Sequence, residues 1–462
     1  MAQEMAEQGP FAEYLGHFDG LIGDRRTGRT MGEIVRGIIN AGSLVCQQIA
    51  AHSAELSVVK EGAQRVIRFA KGKSTKRSQV DAEHLTAALC ERGVAQLAKS
   101  ETDELWLIAD PSDLRKPYAS EMPDLMQVKD LGGKLVPGYR TLNVLGVTPG
   151  RRGILYHRLF SSVAKDLDSE PLEVQRGLKT VSQAVQGLKE RMAVSWIVDR
   201  GFDDVAVWRT IWEQEEHVVC RLFHTERLVE YETVDGKWVE GDVVAAQRHL
   251  RPMASARTMM VVRRGRQKKE KRQRVTAEIR SCRLRLTYDT HVRREGAGQE
   301  VRKDIWLVEV NILRSTLKPW LLITDWPVED AESAVRILRM YRQRWAVEDS
   351  FKFTKGVLGW EEVQLLDLEG IRTLLALAWV AAGFLYELGV TMEWEEVRLL
   401  ARLGGWAERK DNPPGKIVLT RGLRRFMDML TTQAFLDHYR AEHGALPPRI
   451  AEWMGESPPD DL

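Results

Sequence analysis

One segment of the sequence carries an unusual set of polar side chains at helical spacing. The segment YRQRWAVEDSFKFTK runs from Tyr341 to Lys355. At about 100° per residue, six of its side chains fall within an arc of about 100°. They are a phenol, a guanidinium, an indole, a carboxylate and two ammonium groups, at Tyr341, Arg344, Trp345, Glu348, Lys352 and Lys355. Since a core-facing stripe is normally aliphatic, this face indicates either a solvated surface with Glu348–Lys352 pairing or a site that does chemistry.

Two aspartates follow apolar runs that are typical of buried strands. Asp110 ends the run LWLIAD, and Asp199 ends the run VSWIVD. A carboxylate at the C-terminal end of a core strand lies at the edge of the sheet where α/β proteins bind ligands. Taken singly, either aspartate is better explained as an ordinary turn residue at the end of a strand.

Together with Glu348, the two aspartates could form a metal site. Three carboxylates can hold two divalent cations about 3.5–4 Å apart, which bind the attacking and leaving oxygens of a phosphoryl displacement. Hard oxygen ligands suit Mg²⁺ or Mn²⁺. Arginine, lysine and tyrosine side chains can hold phosphate oxygens, and an indole can stack on an unpaired base. The combination indicates chemistry on a nucleic-acid backbone.

The elements around these residues predict an α/β protein built from several parts. Strand patterns alternate with helical patterns between residues 105 and 223, β-type runs fill the next ninety residues or so, and both ends of the chain read as helical. We predict five parts: a helical N-terminal domain at 1–100, the first part of an α/β core at 101–225, a β-rich insertion at 226–315, the second part of the core with the catalytic helix at 316–375, and a helical C-terminal region at 376–462.

Local signals predict where several elements begin and end. Thr30 with Glu33 resembles a capping box before a helix that continues to about Ala51. Asp81 is the predicted cap of a helix that ends near Leu97. The first core strand is expected to end at Asp110. A single long helix is expected from about Asp330 to Lys355.

The composition excludes several classes of protein. The 462 residues are 44% hydrophobic and 29% charged, which rules out wholesale disorder, collagen and a disulfide-stapled miniprotein. The net charge of +2 means that a site for a polyanion must come from the placement of charge. Two basic runs could contact a phosphate backbone, at Lys71–Arg77 and Arg263–Arg274. For the second run, the alternative is a solvated hairpin tip.

The remaining motifs predict a soluble protein of the cytoplasm. Four distant cysteines form no CxxC pair, and none of the ten histidines has ligand spacing to another. The N-terminal residues include acids and no long apolar run, so we expect no signal peptide. The most apolar stretch, Thr373 to Leu388, is short for a membrane span and predicts a buried helix. We expect no membrane partner.

Blocks of the sequence resemble the DDE transposases of bacterial insertion sequences, in the insertion-sequence-four branch that includes the Tn-five type. LIADPS corresponds to the block with the first acid, Asp110, and WIVDRGFDD to the block with the second, Asp199, followed by Arg200. PWLLITDWPVE is similar to the family's segment with a stacking aromatic, here Trp320. The segment analysed above fits the branch's Tyr-Arg-Glu-Lys signature with Tyr341, Arg344, Glu348 and Lys355.

This resemblance implies a fold and a set of roles. The fold would be an RNase H-like core, a mixed sheet flanked by helices, which a β-rich insertion interrupts between the second aspartate and the glutamate. The three acids, Asp110, Asp199 and Glu348, would bind two Mg²⁺ or Mn²⁺ ions per active site. The other candidates are phosphate-binding or base-stacking side chains: Tyr341, Arg344, Lys355, Arg200 and Lys352 for phosphate, and Trp320 and Trp345 for a base. Core packing is the alternative for each tryptophan, and pairing with an acid is the alternative for Arg200.

The resemblance also implies an activity and partners. The reaction would be cut-and-paste transposition, with metal-dependent cleavage at the inverted-repeat ends of a transposon and joining of the 3′-hydroxyl to target DNA. The N-terminal domain would bind the end sequence, and the C-terminal helices would pair two protomers on DNA in a bacterial cytoplasm, at the nucleoid. Two alternatives remain open: a domesticated, non-catalytic DNA-binding protein of the same fold, and an RNase H-like nuclease without strand transfer.

Overall fold

The computed structural model describes residues 9–52, 58–72, 78, 80–130, 132–165, 167–264, 269–289, 300–313, 315, 318–408 and 413–456, with backbone alone at 260–264, 269–272, 289 and 300. Within these residues, helices flank one large mixed sheet, so the predicted α/β class is confirmed. The turn of the predicted basic run at Arg263–Arg274 and most of the run at Lys71–Arg77 lie outside the described residues.

The described part of the N-terminal region contains five α-helices: α1 Pro10–Gly16, α2 Arg25–Ala41, α3 Cys46–Ala51, α4 Val59–Ala70 and α5 Ala82–Ala98. The predicted capping box at Thr30 is wrong, because Asp24 caps α2 by accepting a hydrogen bond from the Thr27 amide. Thr30 lies inside this helix and donates its hydroxyl to the Arg26 carbonyl. Gly42, at a left-handed φ of 63°, ends the helix before α3 begins. Asp81 caps α5 as predicted.

Six strands with two connecting helices form the first part of the sheet: β1 Glu104–Arg115, β2 Met126–Lys129, β3 Leu135–Thr148, β4 Arg151–Phe160, α6 Glu170–Ala184, β5 Ala193–Val198, α7 Val205–Trp212 and β6 His217–Arg221. Strand β3 pairs antiparallel with β1, and β4 pairs antiparallel with β3. On the other side of β1, strands β5 and β6 follow in parallel. The order β4-β3-β1-β5-β6 places β1 at the centre of this part.

Strand β1 does not end at Asp110 as predicted. It continues to Arg115, because β3 provides hydrogen-bonding partners from Asn143 opposite Asp110 to Gly138 opposite Arg115. The parallel pairing with β5 stops earlier, at Ile108. Asp110 therefore lies beyond the end of the pairing between β1 and β5 but within the pairing between β1 and β3.

The strands of the insertion extend the same sheet. They are β7 Leu228–Glu232, β8 Trp238–Asp242, β9 Arg251–Arg264, β10 Lys269–Asp289 and β11 Glu300–Ile312. Helix α8 Val243–Gln247 lies between β8 and β9, and β12 Trp320–Thr324 follows the insertion. The sheet continues from β6 in the order β12-β11-β10-β7-β8, with β9 also paired to β10. Because β12 pairs antiparallel with β6, the chain returns from the insertion next to the strand from which it left.

The last third of the protein is helical, with α9 Ala331–Arg342, α10 Trp345–Val357, α11 Leu368–Thr391, α12 Trp394–Leu403, α13 Lys416–His443 and α14 Pro448–Trp453. The predicted single helix from Asp330 to Lys355 is in fact two helices, α9 and α10. Between them, the Arg344 amide bonds the Tyr341 carbonyl and the Ala346 amide bonds the Gln343 carbonyl. These i→i−3 bonds form a tighter turn, which interrupts the α-helical pattern.

Helix α11 lies in the hydrophobic core and contacts helix α1 from the N-terminal part of the protein. It is long and apolar enough to cross a membrane, but 61% of its most apolar window is buried inside the protein, in agreement with the predicted buried helix. The Tyr14 hydroxyl of α1 donates to the Val380 carbonyl of α11 at 2.9 Å. The predicted boundary between residues 375 and 376 falls inside this helix.

Candidate active site

The two aspartates lie at the same level on neighbouring parallel strands. The last parallel pair between β1 and β5 is Ile108 opposite Ile197, and each aspartate follows its isoleucine by two residues. Directly after Asp199 the chain turns into a short 3₁₀ helix, Arg200–Phe202. Since both aspartates stand just past the end of the parallel pairing, they occupy the edge of the sheet at which α/β proteins bind ligands.

A single guanidinium group joins these aspartates to Glu348. The Nη1 atom of Arg344 lies 3.6 Å from Asp199 Oδ2 and 4.0 Å from Asp110 Oδ2. Its Nη2 atom donates to Glu348 Oε1, four residues later. The Arg344 side chain is only 9% exposed, so water screens these charges weakly. Three acids from β1, from the end of β5 and from α10 thus converge on one point.

Burial and like charges raise the pKa of the Asp110 carboxyl group. Burial is the main reason that its pKa rises from the ordinary 3.8 to about 7. The nearby Arg344 charge works against this rise, while the charges of Asp199 and Glu348 add to it. In turn, the acids raise the pKa of Arg344, although its burial acts in the opposite direction. The site therefore holds more negative charge than one arginine balances.

The three carboxylates are suitable ligands for a divalent cation, but their present positions do not form a metal-binding site. Among the described residues, no group of three His, Cys, Asp or Glu side chains is arranged to hold a metal ion. Asp110, Asp199 and Glu348 surround Arg344 instead, and its guanidinium supplies the positive charge. Three converging carboxylates with excess negative charge are the ligands that Mg²⁺ or Mn²⁺ requires, so these residues fit such an ion once Arg344 moves aside.

We expect the Asp110→Asn variant to be more thermostable than the wild type at pH 8 in the presence of a chelator. Because the pKa of Asp110 is about 7 in the folded protein and 3.8 ordinarily, the folded state holds a proton that the unfolded chain releases between about pH 4 and 7. Stability should fall as the pH rises through that window. The variant lacks this loss, which is worth a melting-temperature difference on the order of 1–3 °C.

Differential scanning fluorimetry of both proteins from pH 5 to pH 8, in steps of about one pH unit, measures this difference in melting temperature. The gap between Asp110→Asn and wild type should shrink as the pH approaches 5. A wild type that is the more stable protein at pH 8 would mean that Asp110 is stabilised, not penalised, by its surroundings.

Tyr341 contacts the second aspartate, Asp199, and Trp320 packs against Tyr341. The Tyr341 hydroxyl donates to Asp199 Oδ1 at 3.2 Å. Its ring packs edge-on against Trp320, with the centroids 5.3 Å apart. Trp320 is only 7% exposed and lies in the core against Tyr341.

The other predicted residues lie on the elements around the acids. Lys355 Nζ donates to the Asp113 carbonyl at 2.9 Å and lies 3.1 Å from Glu361 Oε1, which ties α10 to β1 beyond the first acid. Trp345 is half-buried against the core. Arg200 and Lys352 are exposed.

Two residues near the site were not predicted. Arg221 ends β6, next to β5, and its charge acts on the Tyr341 hydroxyl. Asp203 is buried four residues after Asp199 and pairs with Arg227. The repeated acids of DRGFDD were the one available signal for Asp203, whereas Arg221 becomes visible only from the strand order.

Comparison with known proteins finds a similarity over part of this chain. Residues 178–383 match the family model described as the transposase DDE domain. This range includes Asp199 and Glu348 but begins after Asp110. Among solved structures, piggyBac transposase in a synaptic complex with hairpin DNA is similar with a TM-score of 0.37 and 12% identity, over 78% of this chain and 59% of that chain. The chain thus spans less than two thirds of that protein's length. No curated protein matches the sequence.

Proposed function

We propose that the chain, whose residues 178–383 match the transposase DDE domain, is a DDE transposase that cuts DNA at transposon ends and joins it to a target. The observation that carries this proposal is the convergence of Asp110, Asp199 and Glu348 on one guanidinium group at the edge of the sheet. The proposal includes membership of the insertion-sequence-four branch with its Tyr-Arg-Glu-Lys signature.

The arrangement of the acids supports an RNase H-like core. Asp110 and Asp199 stand on neighbouring strands and Glu348 on a later helix, which is what the resemblance implies. The strands β7 to β11 enter the chain between the second aspartate and the glutamate, as expected for the inserted β-rich part. We further propose that two protomers act together on DNA in the cytoplasm of a bacterium.

In this proposal the three acids would hold two Mg²⁺ or Mn²⁺ ions. When bound, such ions stabilise the attacking and leaving oxygens of an in-line displacement at phosphorus. Tyr341 fixes Asp199 by bonding its Oδ1 atom, so that the Oδ2 atom faces the centre of the site. Lys355 holds the backbone of β1 at Asp113, three residues beyond Asp110.

The Arg344 guanidinium can pair either with the three carboxylates or with a phosphate of the DNA. Without DNA, its guanidinium pairs with the acids. A phosphodiester offers it two oxygens in a geometry that matches the guanidinium fork. Movement of Arg344 from the carboxylates to the phosphate would free the acids for metal ions at the moment when the substrate arrives.

Replacing Tyr341 by Phe should slow DNA cleavage about 10-fold with little change in DNA affinity, because one hydrogen bond to a charged group is lost. Single-turnover cleavage rates and filter-binding affinities separate the two effects. Tyr118→Phe, at a fully exposed tyrosine, is the control. A loss of affinity without a loss of rate would show that Tyr341 holds the DNA and does not position Asp199.

The activity itself is tested with linear DNA that carries the inverted repeats flanking the gene, incubated with the protein, Mg²⁺ and a target plasmid. Cleavage at the repeats followed by joining of the 3′-ends to the plasmid is the expected result. Cleavage without joining would make the protein a nuclease, and binding without cleavage a domesticated DNA-binding protein. Either result would reject the transposase proposal.

A further inference from the structure

A row of three polar side chains crosses the sheet from the candidate active site into the core. Asn143 of β3 pairs directly opposite Asp110 of β1, and His157 of β4 pairs directly opposite Asn143. Residues directly opposite each other in antiparallel strands have their side chains on the same face, with Cβ atoms about 4.5–5.5 Å apart. Asn143 is 1% exposed and His157 is 6% exposed. The side chain of β3 next to Asp110 is therefore a buried amide.

Hydrogen bonds determine the orientation of this amide. The Thr141 hydroxyl donates its one proton to the Ser112 carbonyl at 3.1 Å, so its oxygen must accept from Asn143 Nδ2, which is 2.9 Å away. Asn143 Oδ1 then faces His157 Nδ1 at 2.7 Å. Burial lowers the pKa of His157 to about 3, so the ring is neutral and carries its proton on Nδ1. The direction of each bond from His157 to Ser112 is thus determined.

The far end of this chain of hydrogen bonds is held in the core. The His157 ring centroid lies 5.7 Å from that of Trp360 and 5.9 Å from that of Trp379. Both indoles are buried, and Trp360 also stacks on Phe351 of α10, with the centroids 6.3 Å apart. Because aromatic rings from three segments pack together here, His157 is a fixed support for Asn143.

One hydrogen of the Asn143 amide remains available beside an acid that lacks donors. Among the residues that the structure describes, Nδ2 donates to Thr141 alone, although it carries two hydrogens. The Asp110 carboxylate accepts no hydrogen bond from any described residue, and Arg344 Nη1 lies 4.0 Å from its Oδ2. Since Asn143 Oδ1 is bound by β4, Nδ2 is the group left for β1. A carboxylate that binds a metal ion is normally oriented by such a donor.

We propose that Asn143 is a positioning residue for Asp110: its amide donates a hydrogen bond to the carboxylate when that carboxylate binds a divalent cation, and His157 holds the amide in the orientation that this bond requires. The inference rests on the proposed metal site of Asp110, Asp199 and Glu348. It gives a task to two buried polar side chains that lie outside the three acids.

The test measures how tightly the protein binds Mn²⁺ on DNA that ends at the inverted repeat, from the electron paramagnetic resonance signal of free Mn²⁺. Replacing Asn143 by Leu should weaken Mn²⁺ binding about 10–100-fold, the scale for losing a residue that orients a metal ligand. The Mn²⁺ concentration for half-maximal cleavage should rise by the same factor, while the cleavage rate at saturating Mn²⁺ should approach that of wild type.

Replacing His157 by Phe tests whether the imidazole acts through the amide. This variant should also weaken Mn²⁺ binding, although His157 lies two strands away from Asp110. Because both residues act through one hydrogen bond, the double variant Asn143→Leu/His157→Phe should bind Mn²⁺ no more weakly than Asn143→Leu alone. Asn40→Leu is the matched control and should keep the wild-type Mn²⁺ affinity, since it removes a buried amide that bonds Asp428, between α2 and α13.

Thermal unfolding without metal separates the positioning of Asp110 from the stability of the fold. A lower melting temperature with wild-type Mn²⁺ affinity in these variants would overturn this inference alone. Should Asn143→Leu fail to fold, His157→Phe carries the same measurement, because it leaves the amide and the acid in place. Failure of the wild type to cut DNA, or Mn²⁺ binding that Asp110→Asn does not weaken, would instead reject the proposed function.

Discussion

Replacing Glu348 by Gln is expected to abolish DNA cleavage and leave DNA binding intact. Glutamine preserves the size of the side chain and can still accept the hydrogen bond from Arg344, but it removes a negative charge that the metal ions need. Cleavage should fall roughly 10³-fold or more, the scale of losing a catalytic group. Since Glu348 is 41% exposed, the change should not unfold the protein.

The measurement is cleavage of end-labelled DNA with Mg²⁺, together with a gel-shift affinity on the same DNA. Glu332→Gln, at an exposed glutamate in the first turn of α9, controls for a change of charge on the neighbouring helix. Full cleavage by Glu348→Gln would remove Glu348 from the metal site, and loss of binding together with cleavage would make it a DNA contact.

Replacing Arg344 by Met should destabilise the metal-free protein and make its stability strongly dependent on divalent metal ions. Without the guanidinium, Asp110, Asp199 and Glu348 face one another with no counter-charge, and breaking a buried ion pair costs about 3–5 kcal/mol. Partial exposure of Glu348 should reduce that cost. Mg²⁺ or Mn²⁺ can supply the missing charge, so either ion should raise the melting temperature of the variant more than that of the wild type.

Thermal unfolding with a chelator and with increasing Mn²⁺, both without DNA, measures this effect. Arg336→Met is the matched control, because this arginine of α9 pairs with Glu104 and stacks on Trp326, away from the acids. Equal responses of wild type and Arg344→Met to Mn²⁺ would show that Arg344 does not compete with metal for the carboxylates. The variant should also cut DNA poorly, because its phosphate contact is lost.

The spacing of residues along the chain predicts that several polar side chains lie close together. Counting in threes and fours places Tyr341, Arg344 and Glu348 on one face, and in the structure Tyr341 and Arg344 both contact Asp199 while Arg344 also contacts Glu348. This works even though the helix is interrupted, because the tight turn at Arg344 preserves the approximate helical direction of neighbouring side chains. The apolar runs before Asp110 and Asp199 predict strands for the same local reason.

What the sequence does not reveal depends on neighbours that are distant in the chain. The length of β1 follows from the extent of β3, which pairs with it up to Arg115. Trp320 of β12 packs against Tyr341 of α9, a separate element. The role of Arg344 as an internal counter-charge requires two strands and a helix to meet.

The position of Mn²⁺ in crystals of the protein bound to DNA, read from the anomalous scattering of the metal, tests the proposed site most directly. We expect anomalous density between the carboxylates of Asp110, Asp199 and Glu348, with the Arg344 guanidinium turned away from them toward a phosphate. Density elsewhere in crystals of a protein that cuts its DNA, with Arg344 still paired to the three acids, would contradict it.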